Sequence, residues 1–225
     1  MSRILEVNNI NKIYSSEGES LQVLSGVSFS LNQGESIVIT GESGCGKSTL
    51  LNIIGGLDDA TSGEIISCGY KITALDEEKL TFYRKKEVGF IFQFHYLLKD
   101  FSALENLMLP LLITGHKRTS AKEYATQLLN DVGLYERRKH YPSQLSGGER
   151  QRIAIARALA NKPKIILADE PTGNLDEKNS MMVQELLFKL VEDYKNSMIL
   201  VTHDATIKDK GSYHYTIKNG RFMSL

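Results

Sequence analysis

Three short segments of the chain are apolar at nearly every position. They are SIVIT at 36–40, KIILAD at 164–169 and SMILVT at 197–202. Uninterrupted apolar runs of this length are typical of strands that are buried on both faces of a parallel sheet. Helical patterns separate the three runs, so the chain is predicted to form an α/β core around a mainly parallel sheet.

Other segments alternate apolar and polar residues. ILEVNNINKIY at 4–14 and VSFSL at 27–31 have the period of half-buried strands. YHYTIKNGRFMSL at 213–225 places Asn219 and Gly220 between β-forming residues, which predicts a hairpin. Together these segments predict a smaller antiparallel β-subdomain beside the core.

The most aromatic stretch is GFIFQFHYLLKDFSALENLMLPLL at 89–112. Within it Ser102 and Glu105 have the spacing of a capping box, and the apolar residues that follow recur at helical spacing. We expect Pro110 to kink or end this helix. The core can absorb about half of the apolar stripe, and we expect the rest, with the aromatic residues, to grip a helix of a partner protein. The expected stripe is Leu104, Leu107, Met108 and Leu111, with Leu97 and Leu107 facing the partner.

Composition limits the classes of protein to be considered. The 225 residues are enough for one compact domain, expected over 1–225 with a helical subdomain at about 94–161. The 27 Lys and Arg balance the 27 Asp and Glu, so a nucleic acid is an unexpected partner. The sequence shows neither a signal peptide nor a long apolar span, and its 2 cysteines lack metal-site spacing. These features favour a cytoplasmic protein.

A glycine-rich segment follows the first apolar strand directly. GESGCGKST at 41–49 fits the pattern G-x-x-x-x-G-K-[ST], with a predicted strand before it and a predicted helix after it. In that context backbone N–H groups can surround a polyphosphate, Lys47 can reach its terminal phosphates, and the Ser48 hydroxyl can bind Mg²⁺. A turn that merely joins strand and helix is the weaker alternative. We expect Cys45 to be a small packed residue rather than a reactive thiol.

A second strand ends in two carboxylates. Asp169 and Glu170 close the run IILADE. A carboxylate at the first position can hold the shell of a Mg²⁺ ion, and one at the second can polarise an attacking water. Combined with the phosphate loop, the pair predicts phosphoryl-transfer chemistry.

A second glycine-rich helix start occurs at LSGGERQRIAIARALA. Ser146 and Glu149 form a capping-box pattern, which alone would indicate an ordinary capped helix. Gly147 and Gly148 follow the cap, and we expect them to leave backbone N–H groups accessible to an anion. One nucleotide hardly needs two such helix starts from the same chain.

These motifs, in this order, resemble the ATP-binding subunits of ABC (ATP-binding cassette) transporters over essentially the whole chain. The resemblance implies a P-loop NTPase core with an antiparallel β-subdomain and an α-helical subdomain, and ATP and Mg²⁺ as ligands. It also implies a head-to-tail dimer with a second copy of the chain, in which each ATP lies between the phosphate loop of one copy and the signature segment of the other. The implied ATP-binding residues are Tyr14, Gly41, Glu42, Ser43, Gly44, Cys45, Gly46, Lys47, Ser48 and Thr49, and the implied signature is Leu145, Ser146, Gly147, Gly148 and Glu149.

The same resemblance implies roles for single residues. Glu170 would be the catalytic base, and His203, after SMILVT, would bind the terminal phosphate and orient Glu170. Gln93, expected to end the strand EVGFIFQ, would contact Mg²⁺ and the water, with Ser48 and, through water, Asp169 as the other Mg²⁺ partners. Tyr14 would stack on adenine, although a core tyrosine is also possible. Asp176, in a Gly-Asn-Leu-Asp loop where many family members have Ser-Ala-Leu-Asp, would signal across the dimer.

Within the family, the amino-acid sequences of several segments resemble those of ATPases of bacterial lipoprotein-releasing complexes. That resemblance implies a peripheral subunit at the cytoplasmic face of the inner membrane, bound to integral membrane subunits near 93–112. The chain stops soon after the predicted hairpin, which indicates a stand-alone subunit. Efflux and cell-division complexes of the same family are alternatives. A nucleic-acid or translation factor and a non-hydrolysing scaffold are further alternatives, disfavoured by the neutral charge and by the intact Lys47, Glu170 and His203.

Overall fold

The computed structural model describes residues 2–16 and 19–224. Within these residues the chain forms ten strands and six α-helices, joined by turns and short 3₁₀ segments. In chain order they are β1 (Arg3–Ser16), β2 (Glu19–Asn32), β3 (Ser36–Thr40), α1 (Lys47–Ile54), β4 (Ser62–Ser67), β5 (Tyr70–Lys71), α2 (Glu77–Lys86), β6 (Val88–Ile91), α3 (Ala103–Ile113), α4 (Arg118–Asp131), α5 (Gly147–Leu159), β7 (Ile165–Asp169), α6 (Glu177–Asp193), β8 (Ser197–Thr202), β9 (Tyr213–Lys218) and β10 (Arg221–Ser224).

The central sheet has six strands in the order β10-β9-β3-β8-β7-β6. Its pairings are parallel except for β9 with β10. The three apolar runs predicted as buried strands form β3, β7 and β8 almost residue for residue, which confirms the predicted α/β class.

Both faces of this sheet are covered, because successive residues of each strand enter different cores. In β8, Met198 and Leu200 face the core formed with the helices α3 to α6. Ile199 and Val201 face the core formed with α1 and the N-terminal strands. All four side chains are fully buried. Continuous burial is why these strands read as unbroken apolar runs rather than as alternating ones.

The N-terminal strands form a separate antiparallel sheet in the order β2-β1-β4-β5, as their alternating pattern predicts. The C-terminal hairpin does not join it, which corrects the sequence-based expectation. Its turn is at Asn219 and Gly220, both left-handed, but β9 pairs in parallel with β3 and so extends the central sheet. An alternating pattern indicates that one face of a strand is exposed. It does not specify which of the two sheets the strand joins.

The helix predicted after Ser102 is α3, and its capping box with Glu105 is present. Pro110 does not end it, because the helix continues to Ile113. The apolar stripe faces the core: Leu107, Met108 and Leu111 are at most 5% exposed and Leu104 is half-buried. The expectation that Leu107 contacts a partner is therefore wrong, because this side chain is fully buried.

The parallel strands bring distant segments together at one edge of the sheet. Thr40, the last residue of β3, is paired with Thr202 of β8, and Asp169 of β7 is paired with Val201. The segments that follow these strands must therefore emerge side by side. Ligands of open α/β sheets bind at this carboxyl edge.

Candidate active site

The phosphate loop connects β3 to α1. Gly44 and Gly46 both have left-handed backbone, with φ of 79° and 107°. A Cβ on Gly46 would lie 2.8 Å from Leu24 Cδ2 and 2.9 Å from the Val23 carbonyl oxygen, so only glycine fits. Cys45 is a half-buried free thiol packed against the core beneath the loop. The conformation of the loop is thus fixed by close packing of Leu24 and Val23 against Gly46 and of Cys45 against the core.

Lys47 is the first residue of α1 and is only 6% exposed. Its ammonium donates hydrogen bonds to the carbonyl oxygens of Gly41, at 2.8 Å, and Glu42, at 3.0 Å. A buried ammonium requires partners of this kind. The charge is therefore already directed at the loop in which a phosphate would lie.

Ser48 and Asp169 face each other across the same cavity. The Ser48 hydroxyl donates to Asp169 Oδ1 at 3.0 Å. Burial raises the pKa of Asp169, because desolvation disfavours its charged form. A hydroxyl oxygen beside a carboxylate is the kind of donor set that Mg²⁺ accepts, with water and phosphate oxygens completing its shell. In the part of the chain that the structure describes, no group of three or more His, Cys, Asp or Glu side chains is placed to hold a metal.

Glu170 lies directly after β7 in a left-handed backbone conformation, with φ of 45°. This conformation costs a non-glycine residue about 1–2 kcal/mol. Its Oε2 accepts hydrogen bonds from the Thr202 hydroxyl, at 3.0 Å, and from His203 Nδ1, at 2.9 Å, while Lys47 Nζ lies 3.8 Å from Oε1. Strain that is maintained by three surrounding contacts is typical of a functional position.

These side chains surround one cavity of about 460 Å³. Of the residues predicted to bind ATP or Mg²⁺ or to act in catalysis, most are brought together here. The lining residues are Ser43, Gly44, Gly46, Lys47, Ser48, Thr49, Gln93, Asp169, Glu170 and His203. Gly41, Glu42 and Cys45 line a neighbouring cavity of about 390 Å³, which shares Ser43 and Gly44 with the first.

Gln93 reaches the cavity from the loop after β6. It does not end the strand as expected, because β6 ends at Ile91 and Gln93 lies two residues beyond it. Its side chain and its carbonyl oxygen are both hydrogen-bonded to Asn174. Sequence reasoning did not assign Asn174 a contact. The only signal was that Gly173 and Asn174 replace the Ser-Ala of many family members.

Tyr14 lies outside the lining of the phosphate cavity and is 43% exposed, so it is not a core tyrosine. Its hydroxyl donates to Asp58 Oδ2 at 2.5 Å, and this hydrogen bond raises the pKa of the Tyr14 phenol. Lys12 Nζ lies 4.5 Å from the centre of the ring and 2.6 Å from Asp58 Oδ1. Lys12 and Asp58 thus fix the ring, a contact that the sequence did not indicate.

The signature segment, residues 145–149, does not line this cavity. Ser146 caps α5, its hydroxyl accepting from the Glu149 N–H at 3.2 Å while Glu149 Oε2 accepts from the Ser146 N–H at 2.8 Å. Gly148 is buried, and a Cβ there would lie 3.0 Å from Asn179 Oδ1. The expectation that both glycines expose their backbone is therefore wrong for Gly148, because the start of α6 covers it. Leu145 is also buried, at 4% exposure.

Asp176 is exposed at the start of α6, where its side chain accepts from the Asn179 N–H at 3.0 Å. It is outside the cavity lining. Since Asn179 also packs on Gly148, the loop that carries Asp176 and the signature segment adjoin each other on the same side of the molecule.

Residues 24–173 match the protein family described as ABC transporter. The chain belongs to that family. Among curated relatives of this ABC ATPase, the protein named lipoprotein-releasing system ATP-binding protein LolD from Treponema denticola is 54% identical over 217 residues, 96% of each chain. The protein of the same name from Treponema pallidum is 50% identical over 224 residues, 99% of this chain and 98% of the relative.

Solved structures agree with the family assignment. A dimeric post-hydrolysis state of the ATP-binding cassette MJ0796 bound to ADP and Pi superimposes with a TM-score of 0.89 at 39% identity, covering 98% of both chains. This likeness confirms the predicted cassette fold. The chain is thus an ATP-hydrolysing subunit of the ABC type. None of the helices in residues 2–16 and 19–224 combines the length and the hydropathy of a membrane span.

Proposed function

We propose that this chain is the ATPase subunit of a lipoprotein-releasing transport complex. The observation that carries the proposal is the single cavity in which buried Lys47, the Ser48–Asp169 pair and the Glu170–His203 pair converge. The choice of lipoprotein release over efflux or cell division is supported by identities of 54% and 50% to relatives named for that activity.

In the proposed reaction the loop of residues 41–49 surrounds the phosphates of ATP, and Lys47 transfers its hydrogen bonds from loop carbonyls to the terminal phosphates. Glu170 accepts a proton from the attacking water. His203 and Thr202 hold the carboxylate by its Oε2 atom, at 2.9 and 3.0 Å, which leaves Oε1 to face the water. The ring of Tyr14 offers one face to adenine.

Ser48 and Asp169 would hold Mg²⁺, Asp169 through water, with Gln93 as a further oxygen ligand. When bound, the ion neutralises charge on the phosphate oxygens. The oxygen chemistry of these three side chains fits that ion, and their common cavity leaves space for water and phosphate ligands.

We propose that two copies assemble head to tail, so that each signature segment completes the cavity of the other copy. The separation of Ser146 and Gly147 from the cavity lining within one chain supports this arrangement, since a second copy would have to supply them. The dimeric MJ0796 cassettes support it as well. Asp176, exposed beside the signature, would contact the partner copy.

The membrane subunits would bind near residues 93–112, at a groove of about 370 Å³ between β6 and α3. Phe92, Leu109, Pro110 and Ile113 are among its apolar lining residues, and Ile113 is 59% exposed. Arg84, Lys85 and Arg157 also line it, so a short helix with both apolar and acidic residues would fit. The subunit would then be peripheral, at the cytoplasmic face of the inner membrane.

The docking proposal is tested by Ile113→Asp, which places a charge on an exposed side chain and should leave the fold intact. We expect co-purification with membrane subunits to be lost, while Met223→Asp, at a 42% exposed residue of β10, retains it. Equal recovery of both variants would contradict docking at this groove.

The function is tested by purifying the tagged chain with its membrane subunits and reconstituting the complex in vesicles that contain an acylated lipoprotein. We expect ATP-dependent release of the lipoprotein to a soluble acceptor, and none with Glu170→Gln. ATP turnover that is stimulated by another amphiphile but never releases lipoprotein would instead support efflux.

A further inference from the structure

The loop after Glu170 is tied to Gln93 by two reciprocal hydrogen bonds. Asn174 Nδ2 donates to the Gln93 carbonyl oxygen at 3.2 Å, and Gln93 Nε2 donates to Asn174 Oδ1 at 3.3 Å. The two residues are 81 positions apart in the chain. The pair therefore joins two loops that emerge from neighbouring strands, β6 and β7.

The chemistry of this pair allows only one orientation of both carboxamides. A backbone carbonyl oxygen can only accept, so Asn174 must direct its amide nitrogen at Gln93 O. Its Oδ1 atom then faces the Gln93 side chain and can only accept as well. Gln93 must consequently present Nε2 to Asn174, which leaves Oε1 as the carboxamide atom that is free to act elsewhere.

Oε1 of Gln93, the carboxamide atom not bonded to Asn174, is the atom that can bind a cation in the cavity. Gln93 lines the cavity with Ser48 and Asp169, and a hard cation such as Mg²⁺ binds amide oxygen. Without Asn174 the carboxamide could rotate and present Nε2, a donor, to the same place.

Gly173 makes the arrangement possible. A Cβ on Gly173 would lie 2.9 Å from Gln93 Nε2. The Gly173 N–H also donates to the Glu170 carbonyl oxygen at 3.1 Å, so the same turn that leaves Glu170 carries Asn174 to Gln93. A larger residue at 173 would displace the Gln93 side chain.

We infer that Asn174 is a positioning residue that orients the Gln93 carboxamide, with its oxygen toward the Mg²⁺ and phosphate cavity. The inference rests on the proposed function, because it assigns Gln93 the Mg²⁺ contact. The replacement of Ser-Ala by Gly173-Asn174 is then a functional pair: the glycine gives space, and the asparagine gives both a donor and an acceptor.

The test measures the equilibrium affinity of the full chain for ATP with Mg²⁺ and with EDTA, and takes the ratio as the gain due to Mg²⁺. We expect Asn174→Ala to lower this gain by about twofold to tenfold, the range of a net hydrogen bond. Gly173→Ala should lower it similarly, because Gln93 must move while the exposed loop keeps its fold. Asn130→Ala removes a carboxamide that, within residues 2–16 and 19–224, is bonded only to Thr126 O on α4, and it should leave the gain unchanged.

A double-mutant cycle decides whether Asn174 acts through Gln93. In a Gln93→Ala background, Asn174→Ala should cause no further loss of the gain, because the group that it orients is absent. The side-chain NH₂ resonances of Gln93 in ¹⁵N-labelled protein, identified by their disappearance in Gln93→Ala, should shift in Asn174→Ala and not in Asn130→Ala.

An unchanged gain in Asn174→Ala, or an equal loss in the Gln93→Ala background, would overturn the inference. If the unsubstituted chain showed no ATP affinity at all, the proposed function would fail instead. The two failures are therefore distinguishable in one titration series.

Discussion

Helices α1 and α5 both begin at glycine-rich segments, yet their surroundings differ. At the start of α1 a buried lysine, a serine and two carboxylates from the end of β7 surround a cavity. At the start of α5 the helix is capped by its own Ser146 and Glu149, and Gly148 is covered by Asn179. A helix start attracts anions in both cases, but of the two only the α1 start lines the cavity of Lys47, Asp169 and Glu170. In the proposed dimer the α5 start would meet the cavity of a second copy.

The pKa values of the carboxylates at the two helix starts are shifted in opposite directions. Burial raises the pKa of Asp169 near α1, whereas the backbone hydrogen bond from Ser146 lowers the pKa of Glu149 at α5. The Asp169 site thus reduces the stability of the nucleotide-free fold, and the Glu149 cap increases it. The difference is between a carboxylate that is buried at a cavity and one that caps a helix.

The largest expected effect separates chemistry from binding at the α1 site. Glu170→Gln keeps the shape of the side chain but cannot accept a proton, so we expect ATP turnover to fall by about 10²–10⁴-fold while ATP affinity is retained. Turnover and equilibrium binding are measured on the same preparation. Retained turnover would exclude Glu170 as the base.

Removing the charge at the start of α1 should have the next largest effect. Lys47→Ala deletes the ammonium directed into the phosphate loop, and we expect ATP affinity to fall by about 10–100-fold, the range for a charged hydrogen-bonding group. Lys122→Ala, on the exposed face of α4, is the control and should bind ATP normally. Unaltered affinity in Lys47→Ala would remove the distinction between the two helix starts.

The α5 start should matter only when two copies meet. Ser146→Ala removes its cap, and we expect ATP-dependent dimerisation to weaken by several-fold while ATP affinity of the separate chain is unchanged. The loss of a cap costs about 1 kcal/mol in stability. Asp76→Ala, which removes the cap of α2, is matched for that cost and should dimerise normally. Sedimentation in the Glu170→Gln background measures the dimer, and equal dimerisation of both variants would contradict the proposal.

The smallest effect concerns stability and its pH dependence. Because the pKa of Asp169 is raised in the fold, the unfolded chain loses this proton first, and the contribution of Asp169 to stability falls as pH rises from its unfolded pKa through its folded pKa. At pH values above the folded pKa of Asp169, the Asp169→Asn variant should therefore be more stable than the unsubstituted chain. Between the unfolded and folded pKa values this difference in stability should be smaller.

Glu149→Gln should show the opposite sign. The folded pKa of Glu149 is lowered, so its contribution is present above the unfolded pKa and is lost as pH falls through the folded pKa. Urea unfolding between about pH 3 and pH 7 measures the free energy of unfolding of both variants. In thermal unfolding, a change of 1 kcal/mol would correspond to a shift of about 2–4 °C in melting temperature. Changes of the same sign in both variants would contradict the comparison.

Much of the fold could be predicted from local patterns. The strands β3, β7 and β8 were predictable because both of their faces are buried, and the caps of α3 and α5 because Ser102 and Ser146 bond to residues three positions away. The C-terminal hairpin was predictable as a hairpin, but its sheet was not, because local pairing does not specify the next strand. The direction of the α3 stripe also required the tertiary structure.

The sequence by itself determined the chemistry of the candidate site: a lysine in a phosphate loop, carboxylates after a buried strand, and a second glycine-rich helix start. Those features depend on residue type and short spacing, which local rules describe. Only the tertiary structure decided the contacts between segments far apart in the chain, such as Asn174 with Gln93 and Asp58 with Tyr14. The physical reason is that such hydrogen bonds depend on the strand order of the sheets, which no short segment encodes.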